Sequence, residues 1–331
     1  MPSDSTFSLS MRALSDDGGG GELASVFDSY WPAYRKWIAR SPFKDTGACV
    51  RRLREHMPQL VGVFETLVER FGGSDDVARF LTLWNPPPVV RGCSQLIADG
   101  PDGSELIRTY DHHPDLFDGL VLASSWGGVR ALCVTDCLWG ALDGINEHGL
   151  SVALAFGGRR ATGDGFAAPL IVRYLLQTCE TVAQARKALR RLPVSMAYTF
   201  VVLDASGGFI TAYLGPDRTA RFVGRRASSN HQGRVEWKQY GDHVQSAERL
   251  AALEALLDRG ADDDAVESAF LAPPIWRRNY KKGAGSLYLA RYTPSARRMR
   301  LTWPDTSREW RVGEEIDESF EVELTGQLSL K

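Results

Sequence analysis

The hydrophobic periodicity of this chain changes abruptly after a triple proline, and that change limits the folds open to it. Residues 22–80 carry apolar side chains at spacings of three and four, which predicts amphipathic helices. Pro86–Pro88 end this pattern, because proline cannot continue a helix. Residues 95–99 and 105–110 then alternate between apolar and polar, and the tight-turn sequence Gly100-Pro101-Asp102-Gly103 joins them. The chain should therefore begin with helices and continue as β-hairpins.

The remainder of the chain mixes both periodicities. The pattern predicts helices at 167–179, 181–191, 246–257 and 262–270, and strands at 119–124, 129–134, 149–156, 197–204, 208–214, 219–229, 286–292, 297–303 and 318–325. Strands in two groups with helices between them favour a layered α+β fold with mainly antiparallel sheets. Residues 1–21 are polar and end in four glycines, so we expect a disordered N-terminal tail.

Composition excludes several classes of protein. The chain has 331 residues, 44% of them hydrophobic, and a formal net charge of −2, so neither nucleic acid nor a membrane is expected as a partner. No apolar run reaches the roughly 18 residues of a membrane span, and the N-terminus lacks a signal-peptide pattern. The five cysteines form no metal-site or disulfide pattern. We therefore expect a cytoplasmic protein with reduced thiols and no metal or organic cofactor.

The Gly92–Cys93 bond is the most informative position for chemistry. Cleavage there would leave Cys93 with both a thiol and a free α-amine. The amine, with an ordinary pKa of about 7.7–8.0, can accept the thiol proton, so the two groups form a complete nucleophile and base. Glycine suits the position before the bond, because the attacked carbonyl must be approached closely and its backbone can adopt unusual conformations. By itself, however, a Gly–Cys pair usually indicates a turn followed by a buried cysteine.

The hairpin brings further polar residues to this bond. A turn at residues 100–103 returns the second strand so that Arg108 and Asp111 lie beside Cys93. Arg108 can donate charge-assisted hydrogen bonds to a thiolate or a carbonyl, and Asp111 can bind the new ammonium. A surface ion pair at a strand end would explain the same two residues. The adjacent pair His112-His113 is expected in a loop, since neighbouring strand residues face opposite ways and do not share one metal ion.

At this point the chain resembles a known family. The residues that carry the resemblance are Gly92-Cys93-Ser94, Arg108, Asp111, the stretch Asp143-Gly144-Ile145-Asn146-Glu147-His148-Gly149-Leu150, and the stretch Ala227-Ser228-Ser229-Asn230-His231. In this order they resemble the cysteine N-terminal nucleophile (Ntn) hydrolases, and within them the acyl-coenzyme A:6-aminopenicillanic acid acyltransferase group. Choloylglycine hydrolases are more distantly similar. The resemblance covers roughly residues 76–310.

The resemblance implies a fold and a processing step. Family members are αββα sandwiches of two antiparallel sheets between helical layers, and they cleave themselves before the cysteine. For this chain that implies a helical pro-segment or α subunit at 22–92, after the tail at 1–21, and a catalytic β subunit at 93–331. The two fragments of the same chain would then be partners.

The resemblance also implies roles for individual residues. Cys93 would be the nucleophile, Arg108 and Asp111 would orient its thiol and amine, and Asn230 would donate its side-chain amide to the oxyanion. Choloylglycine hydrolases have a second asparagine where this chain has Phe156, so a donor there would be a backbone N–H. Arg249 is only weakly similar to a later family arginine.

The substrate site is less determined by the sequence. Trp126, Phe156, Phe166 and Tyr198 are candidates for an apolar substrate pocket, together with Arg249, and core packing explains the four aromatic residues equally well. Coenzyme A would need a phosphate site, and no glycine-rich loop or basic cluster provides one.

These observations predict an amidohydrolase or N-acyltransferase that acts on a small-molecule amide or acyl substrate, in a setting such as secondary metabolism, through an S-acyl-Cys93 intermediate. Two alternatives stay open. The chain could remain uncut and use an external base such as His112 or His231, or it could be an inactive relative that acts as a binding protein. Formation of a homo-oligomer also stays open.

Overall fold

The computed structural model describes residues 5–17, 21–282 and 284–327. Two β-sheets pack face to face, and helices cover the outer face of each. One of the two sheets has nine strands within this part of the chain, and one core lies between this sheet and the helices that cover its outer face. The second core lies between the two sheets and extends under the helices on the far side. The result is the four-layer helix–sheet–sheet–helix arrangement that the resemblance implies.

The first helical layer comes from two parts of the chain. Four helices precede the Gly92–Cys93 bond and two follow it: α1 (Glu22–Ile38), α2 (Thr46–His56), α3 (Val61–Arg70), α4 (Asp75–Thr82), α5 (Ala168–Thr178) and α6 (Val182–Arg191). Asp45 begins α2 by accepting a hydrogen bond from Ala48 N, and Ser74 caps α4 in the same way through Val77 N. After α4, residues 86–91 lie outside any helix or strand.

Within the described residues, nine strands form the sheet beneath these helices. Their spatial order is β10 (Arg218–Val223), β9 (Phe209–Gly215), β8 (Tyr198–Leu203), β7 (Ser151–Phe156), β6 (Gly140–Asn146), β5 (Ala131–Asp136), β4 (Leu120–Ser124), β1 (Ser5–Asp16) and β16 (Asp317–Gly326). Neighbouring strands are antiparallel except β1 and β4, which run parallel.

The second sheet carries the hairpin that begins at the Gly92–Cys93 bond. Its order is β11 (Ala227–Ser228), β2 (Gly92–Gly100), β3 (Gly103–His112), β13 (Ala284–Thr293), β14 (Arg298–Trp303) and β15 (Thr306–Arg311), with β12 (Arg278–Asn279) beside β13. Its outer helices are α7 (Lys238–His243), α8 (Ser246–Asp258) and α9 (Asp263–Phe270). The hairpin turns at Gly100 and Gly103, as the sequence predicts.

The prediction that residues 1–21 are disordered is wrong for Ser5–Asp16, which forms strand β1 in the interior of the larger sheet. Leu9, Met11 and Ala13 alternate along it and are buried in the core between the sheets. A short polar segment has too little apolar surface to order itself, but β4 and β16 provide hydrogen-bond partners on both sides. The part of the chain before residue 92 is therefore not all helical. The rest of the predicted tail, residues 1–4 and 18–20, lies outside the described residues.

Besides β1, the sequence prediction missed β6, the two-residue strand β12, β15 and α7. Strand β6 is buried on both faces, so its residues do not alternate, and it contains glycine and aspartate, which are rare in strands. In residues 5–17, 21–282 and 284–327, no helix is long and apolar enough to cross a membrane.

Candidate active site around Cys93

Cys93 lies near the start of β2, and its side chain is fully buried between the two sheets. The register of the hairpin pairs Gly92 with Asp111 and Cys93 with Tyr110. Arg108 lies two residues before Tyr110 on the same face of β3. Its Nη2 donates a hydrogen bond to Cys93 Sγ at 3.1 Å. The local hairpin is therefore enough to place a guanidinium against the thiol.

Arg108 is itself held by a carboxylate from the other sheet. Its Nη1 donates to Asp143 Oδ2 in β6 and to the Leu142 carbonyl at 2.8 Å. Asp143 also accepts hydrogen bonds from the hydroxyls of Tyr288, at 2.7 Å, and Tyr292. The sequence prediction missed Asp143 as a site residue. The signal was present, since a carboxylate within an apolar strand needs a buried partner.

The environment of the thiol keeps it protonated in the uncut chain. Burial raises the pKa of Cys93 above its ordinary value, and the nearby Asp111 carboxylate acts in the same direction. Arg108, and more weakly Arg249, oppose this by favouring the thiolate. Cys93 is therefore a neutral thiol whose negative form would already have a positioned donor in Arg108.

The amide nitrogen of Cys93, which cleavage would turn into the free amine, is held separately. It donates a hydrogen bond to Asn230 Oδ1 at 2.9 Å. The same oxygen accepts from Arg249 Nη2 at 2.5 Å, while Arg249 Nη1 donates to the Cys93 carbonyl at 2.6 Å. Arg249 is fully buried in this network. In the uncut chain its donors are occupied by the Cys93 carbonyl and by Asn230, and a contact with substrate stays a prediction.

Asn230 donates its amide to backbone carbonyls near the bond. Its Nδ2 lies 3.2 Å from the Arg91 carbonyl oxygen and 3.0 Å from that of Phe156. The Tyr240 hydroxyl also donates to the Arg91 carbonyl, at 2.5 Å. In the uncut chain these donors thus contact the peptide one residue before the scissile Gly92 carbonyl.

Asp111 packs directly against Gly92. A Cβ at position 92 would lie 2.7 Å from Asp111 Oδ2 and 2.9 Å from Asp111 Cβ, so only glycine fits there. Gly92 is part of an extended strand, so close approach explains it and an unusual backbone conformation does not. Asp111 Oδ1 accepts from Ser286 Oγ at 2.7 Å.

The other oxygen of Asp111, Oδ2, has no hydrogen-bond donor within the described part of the chain. It lies 3.6 Å from Arg249 Nη1 and 3.9 Å from Arg277 Nη1. A buried carboxylate oxygen without a donor can accept a hydrogen bond from an ammonium that would form beside it.

The four aromatic residues proposed for a substrate pocket are buried in a core cluster that does not include Cys93. Trp126, Phe156, Phe166 and Tyr198 all belong to the core between the nine-stranded sheet and the helices. Trp126 donates to Asp16 Oδ2 at 3.1 Å. Phe156 packs edge-on against Tyr240. In the uncut chain these residues pack in that core, and a role in substrate binding stays a prediction.

The histidines considered as external bases do not contact the thiol. His231 Nδ1 pairs with Ser246 Oγ at 2.8 Å, and His113 Nδ1 accepts from Asp115 N at 3.2 Å. His112 is buried at the end of β3, and burial lowers its pKa well below the ordinary value. Across the residues that the structure describes, no group of three or more His, Cys, Asp or Glu side chains is arranged to hold a metal ion.

The layers and the buried cysteine define an Ntn-hydrolase fold. A mutant of conjugated bile acid hydrolase from Clostridium perfringens superimposes with a TM-score of 0.51 and 11% identity, covering 72% of this chain and 99% of that one. Penicillin V acylase from Agrobacterium tumefaciens gives a TM-score of 0.47 at 12% identity, covering 66% and 84%. An N-acylethanolamine-hydrolyzing acid amidase orthologue from Caenorhabditis elegans gives 0.44 at 16%, covering 61% and 93%. Because the last two scores lie below 0.5, the fold comparison depends on the first.

The family is shown by sequence. The model of the acyl-coenzyme A:6-aminopenicillanic acid acyl-transferase family matches residues 98–308, so the chain belongs to this family of Ntn enzymes that act on amide bonds. None of the curated proteins matches the chain in sequence. The family match begins after the Gly92–Cys93 bond, so cleavage of that bond is a separate question.

Proposed function

We propose that this protein cleaves its own Gly92–Cys93 bond and then cleaves or forms a small-molecule amide through an S-acyl-Cys93 intermediate. In the first step Cys93 Sγ attacks the Gly92 carbonyl carbon. The new S–C bond replaces the C–N bond, and the thiol proton passes to the nitrogen. Water then attacks the thioester, which releases Gly92 as a carboxylate, restores the thiol and leaves Cys93 with a free α-amine.

One observation carries this proposal: the thiol and the amide nitrogen of Cys93 are held by different buried polar groups. Arg108 lies 3.1 Å from Sγ, while Asn230 Oδ1 lies 2.9 Å from the nitrogen. These two contacts position both atoms of the acyl shift: Sγ, which gives up a proton and gains the Gly92 carbonyl carbon, and the nitrogen, which does the opposite. Cys133 also has an arginine at its Sγ, so the side-chain acceptor on the amide nitrogen is what distinguishes Cys93.

The same groups support a second round of chemistry on an external amide. Asp111 Oδ2, a buried carboxylate oxygen without a donor in the described part of the chain, is the acceptor that we assign to the new ammonium in addition to Asn230 Oδ1, and the α-amine can take the thiol proton for each attack. When the Arg91 carbonyl departs, the Asn230 amide and the Tyr240 hydroxyl lose an acceptor. They are the donors we assign to a substrate carbonyl. Water as acceptor gives hydrolysis, and an amine gives acyl transfer.

The two fragments should stay together after cleavage. Residues 1–92 include strand β1, which pairs with β4 and β16 of the other fragment on its two sides. Helices α1 to α4 share one hydrophobic core with that sheet. The mature enzyme would therefore be a complex of 1–92 with 93–331.

The test is the intact mass of purified protein, with one matched control. Cys133 is also a buried cysteine whose Sγ accepts from an arginine, Arg173 Nη2, at 2.9 Å. We expect wild-type and Cys133→Ala protein to yield two polypeptides that correspond to 1–92 and 93–331, and Cys93→Ala to stay intact. The two polypeptides should elute together in size-exclusion chromatography.

Amide turnover is measured on the same samples. Cleavage together with Cys93-dependent hydrolysis of any member of an amide panel supports the proposal. An intact wild-type chain with a reactive Cys93 would support an external base instead. An intact chain with an unreactive Cys93 would support an inactive, binding relative.

A further inference from the structure

A cavity of about 600 Å³ adjoins the peptide segment that precedes Cys93. Tyr30, Tyr34 and Trp37 of α1 form one wall, and residues 88–91 form another. His112, at the end of β3, lies opposite. Because Gly92 pairs with Asp111 in the β2–β3 ladder, this cavity lies beside the Gly92–Cys93 bond, on the side of the acyl group that cleavage would release.

The cavity already receives a cation from the chain itself. The Arg91 guanidinium donates through Nη1 and Nη2 to both oxygens of Asp136, which is 3% exposed. Its Cζ also lies 5.6 Å from the centre of the Tyr110 ring. The Asp136 carboxylate and the face of the Tyr110 ring therefore form a binding site for a guanidinium or ammonium, which we call the Arg91 socket.

A second buried carboxylate lies in the cavity, which Lys36 and Arg40 also line from exposed positions. Asp118 accepts from the Tyr34 hydroxyl and from Leu138 N at 2.8 Å, and it lines the same cavity. Burial, and then the neighbouring Asp136, raise the pKa of Asp118 to about 6. Arg91 is the cation that offsets the charge of Asp136 in the uncut chain.

His112 points to a ligand independently of the acidic residues. Its side chain is 5% exposed, and neither ring nitrogen has a hydrogen-bond partner within residues 5–17, 21–282 and 284–327. An imidazole with no partner costs free energy unless something binds it. A neutral ring nitrogen at the cavity wall is an acceptor for an N–H group.

Cleavage would tend to remove Arg91 from its socket. The new carboxylate on Gly92 would form beside Asp111, which approaches Gly92 closely enough to exclude any side chain there. Two adjacent buried carboxylates repel each other. Asn85 is held to Gly165 by hydrogen bonds in both directions, so residues 86–91, outside any regular element, are the part that can swing away.

We propose that the emptied Arg91 socket binds a positively charged group on the acyl part of the substrate, either a guanidinium or a primary ammonium. This inference rests on the proposed function, since it assigns the substrate class of that site. The segment Arg91–Gly92 is then the first acyl donor for Cys93. The Arg91 side chain marks the position where the cation of later substrates binds.

The first experiment tests the socket without any catalysis. In the uncut Cys93→Ala protein, the further change Arg91→Ala removes the side chain beyond Cβ, which ethylguanidinium can replace. We expect calorimetry and thermal shift to detect ethylguanidinium binding that is at least about tenfold tighter than binding of neutral ethylurea. Adding Asp136→Asn should abolish that difference. Equal binding of the two ligands, or an unchanged difference in Asp136→Asn, would overturn the proposal.

The second experiment uses the processed wild-type enzyme and does not depend on the Arg91→Ala variant folding. An 8-guanidinooctanoyl p-nitroanilide carries its guanidinium as many bonds from the carbonyl as Arg91 does, and the 8-ureidooctanoyl compound is its neutral isostere. We expect kcat/KM to favour the guanidino compound by about tenfold or more, and this ratio to fall in Asp136→Asn. Hydrolysis of both compounds at equal kcat/KM would contradict the binding of a cation in the Arg91 socket and would leave the proposed function unaffected. Binding of ethylguanidinium without hydrolysis of any amide would support the Arg91 socket and contradict the proposed function.

Discussion

Two arginine–aspartate pairs flank the Gly92–Cys93 bond, one fully buried and one with a partly exposed arginine, and they differ in what holds the arginine. Arg108 lies in the middle of β3 and is anchored by Asp143, whose carboxylate also accepts from two tyrosines. Arg91 lies in a segment without regular structure and is anchored by Asp136. Both guanidinium groups lie over the Tyr110 ring, at 5.1 Å for Arg108 and 5.6 Å for Arg91.

The difference indicates that similar ion pairs can serve opposite purposes. The Arg108 pair belongs entirely to residues after the bond, so the proposed cleavage would leave it intact beneath the thiol. The Arg91 pair joins residues on the two sides of the bond, so the same cleavage would weaken its hold. A buried ion pair adds little net stability, but loss of one partner is costly. We therefore expect the first pair to be permanent and the second to be temporary.

The largest expected difference between the pairs is in reaction rate. Arg108→Met removes the donor at the Cys93 thiol, and loss of one such donor typically slows a reaction about 10²–10³-fold. Arg91→Met removes a cation that does not contact Sγ, so self-cleavage should slow less than about tenfold. The rates can be followed by mass spectrometry after cell-free synthesis. Equal slowing in both variants would contradict the distinction.

A second difference should appear in stability, before and after cleavage. In the uncut Cys93→Ala protein, both Asp143→Asn and Asp136→Asn leave a largely buried arginine unpaired, at a cost of about 3–5 kcal/mol each. In processed protein only the Asp143→Asn cost should persist, because Arg91 has left Asp136. Thermal midpoints of the cut and uncut forms measure this. A persistent Asp136→Asn cost in processed protein would show that Arg91 stays in place.

The smallest effect concerns pH and the carboxylate beside the Arg91 pair. Because the pKa of Asp118 is raised to about 6, the folded chain holds this proton more tightly than the unfolded chain. The contribution of Asp118 to stability is therefore fully present below pH 4 and is lost as pH rises towards 6, by on the order of 3 kcal/mol. Urea unfolding of the uncut Cys93→Ala protein across this range should show the decline. Asp118→Asn should flatten it, and an identical pH dependence in that variant would contradict the assignment.

The sequence predicted the local half of the candidate site well. The turn between Gly100 and Gly103 fixes the register of the hairpin, and that register alone places Arg108 against Cys93. The family resemblance added Asn230, which contacts the Cys93 nitrogen from far along the chain. Periodicity predicted most helices and strands, because each is set by neighbours within a few residues.

The sequence prediction failed for residues whose roles depend on contacts with segments far away in the chain. Asp143 was missed and the contact of Arg249 with the Cys93 carbonyl was not predicted, because both depend on which atoms another sheet or helix presents. Trp126 and Tyr198 have the composition of a binding pocket, and only the helices that cover them show that they pack in the core of the uncut chain. A strand that looks too polar to fold, Ser5–Asp16, is ordered by β4 and β16.

By itself, then, the sequence determined the switch from helices to sheets, the hairpin, and the thiol with its guanidinium, since short-range patterns and one tight turn are enough to specify them. Only the tertiary structure decided which carboxylate fixes Arg108, which cation fills the cavity beside the bond, and why position 92 must be glycine. Those features are contacts between segments far apart in the chain, and they exist only once the two sheets have packed together.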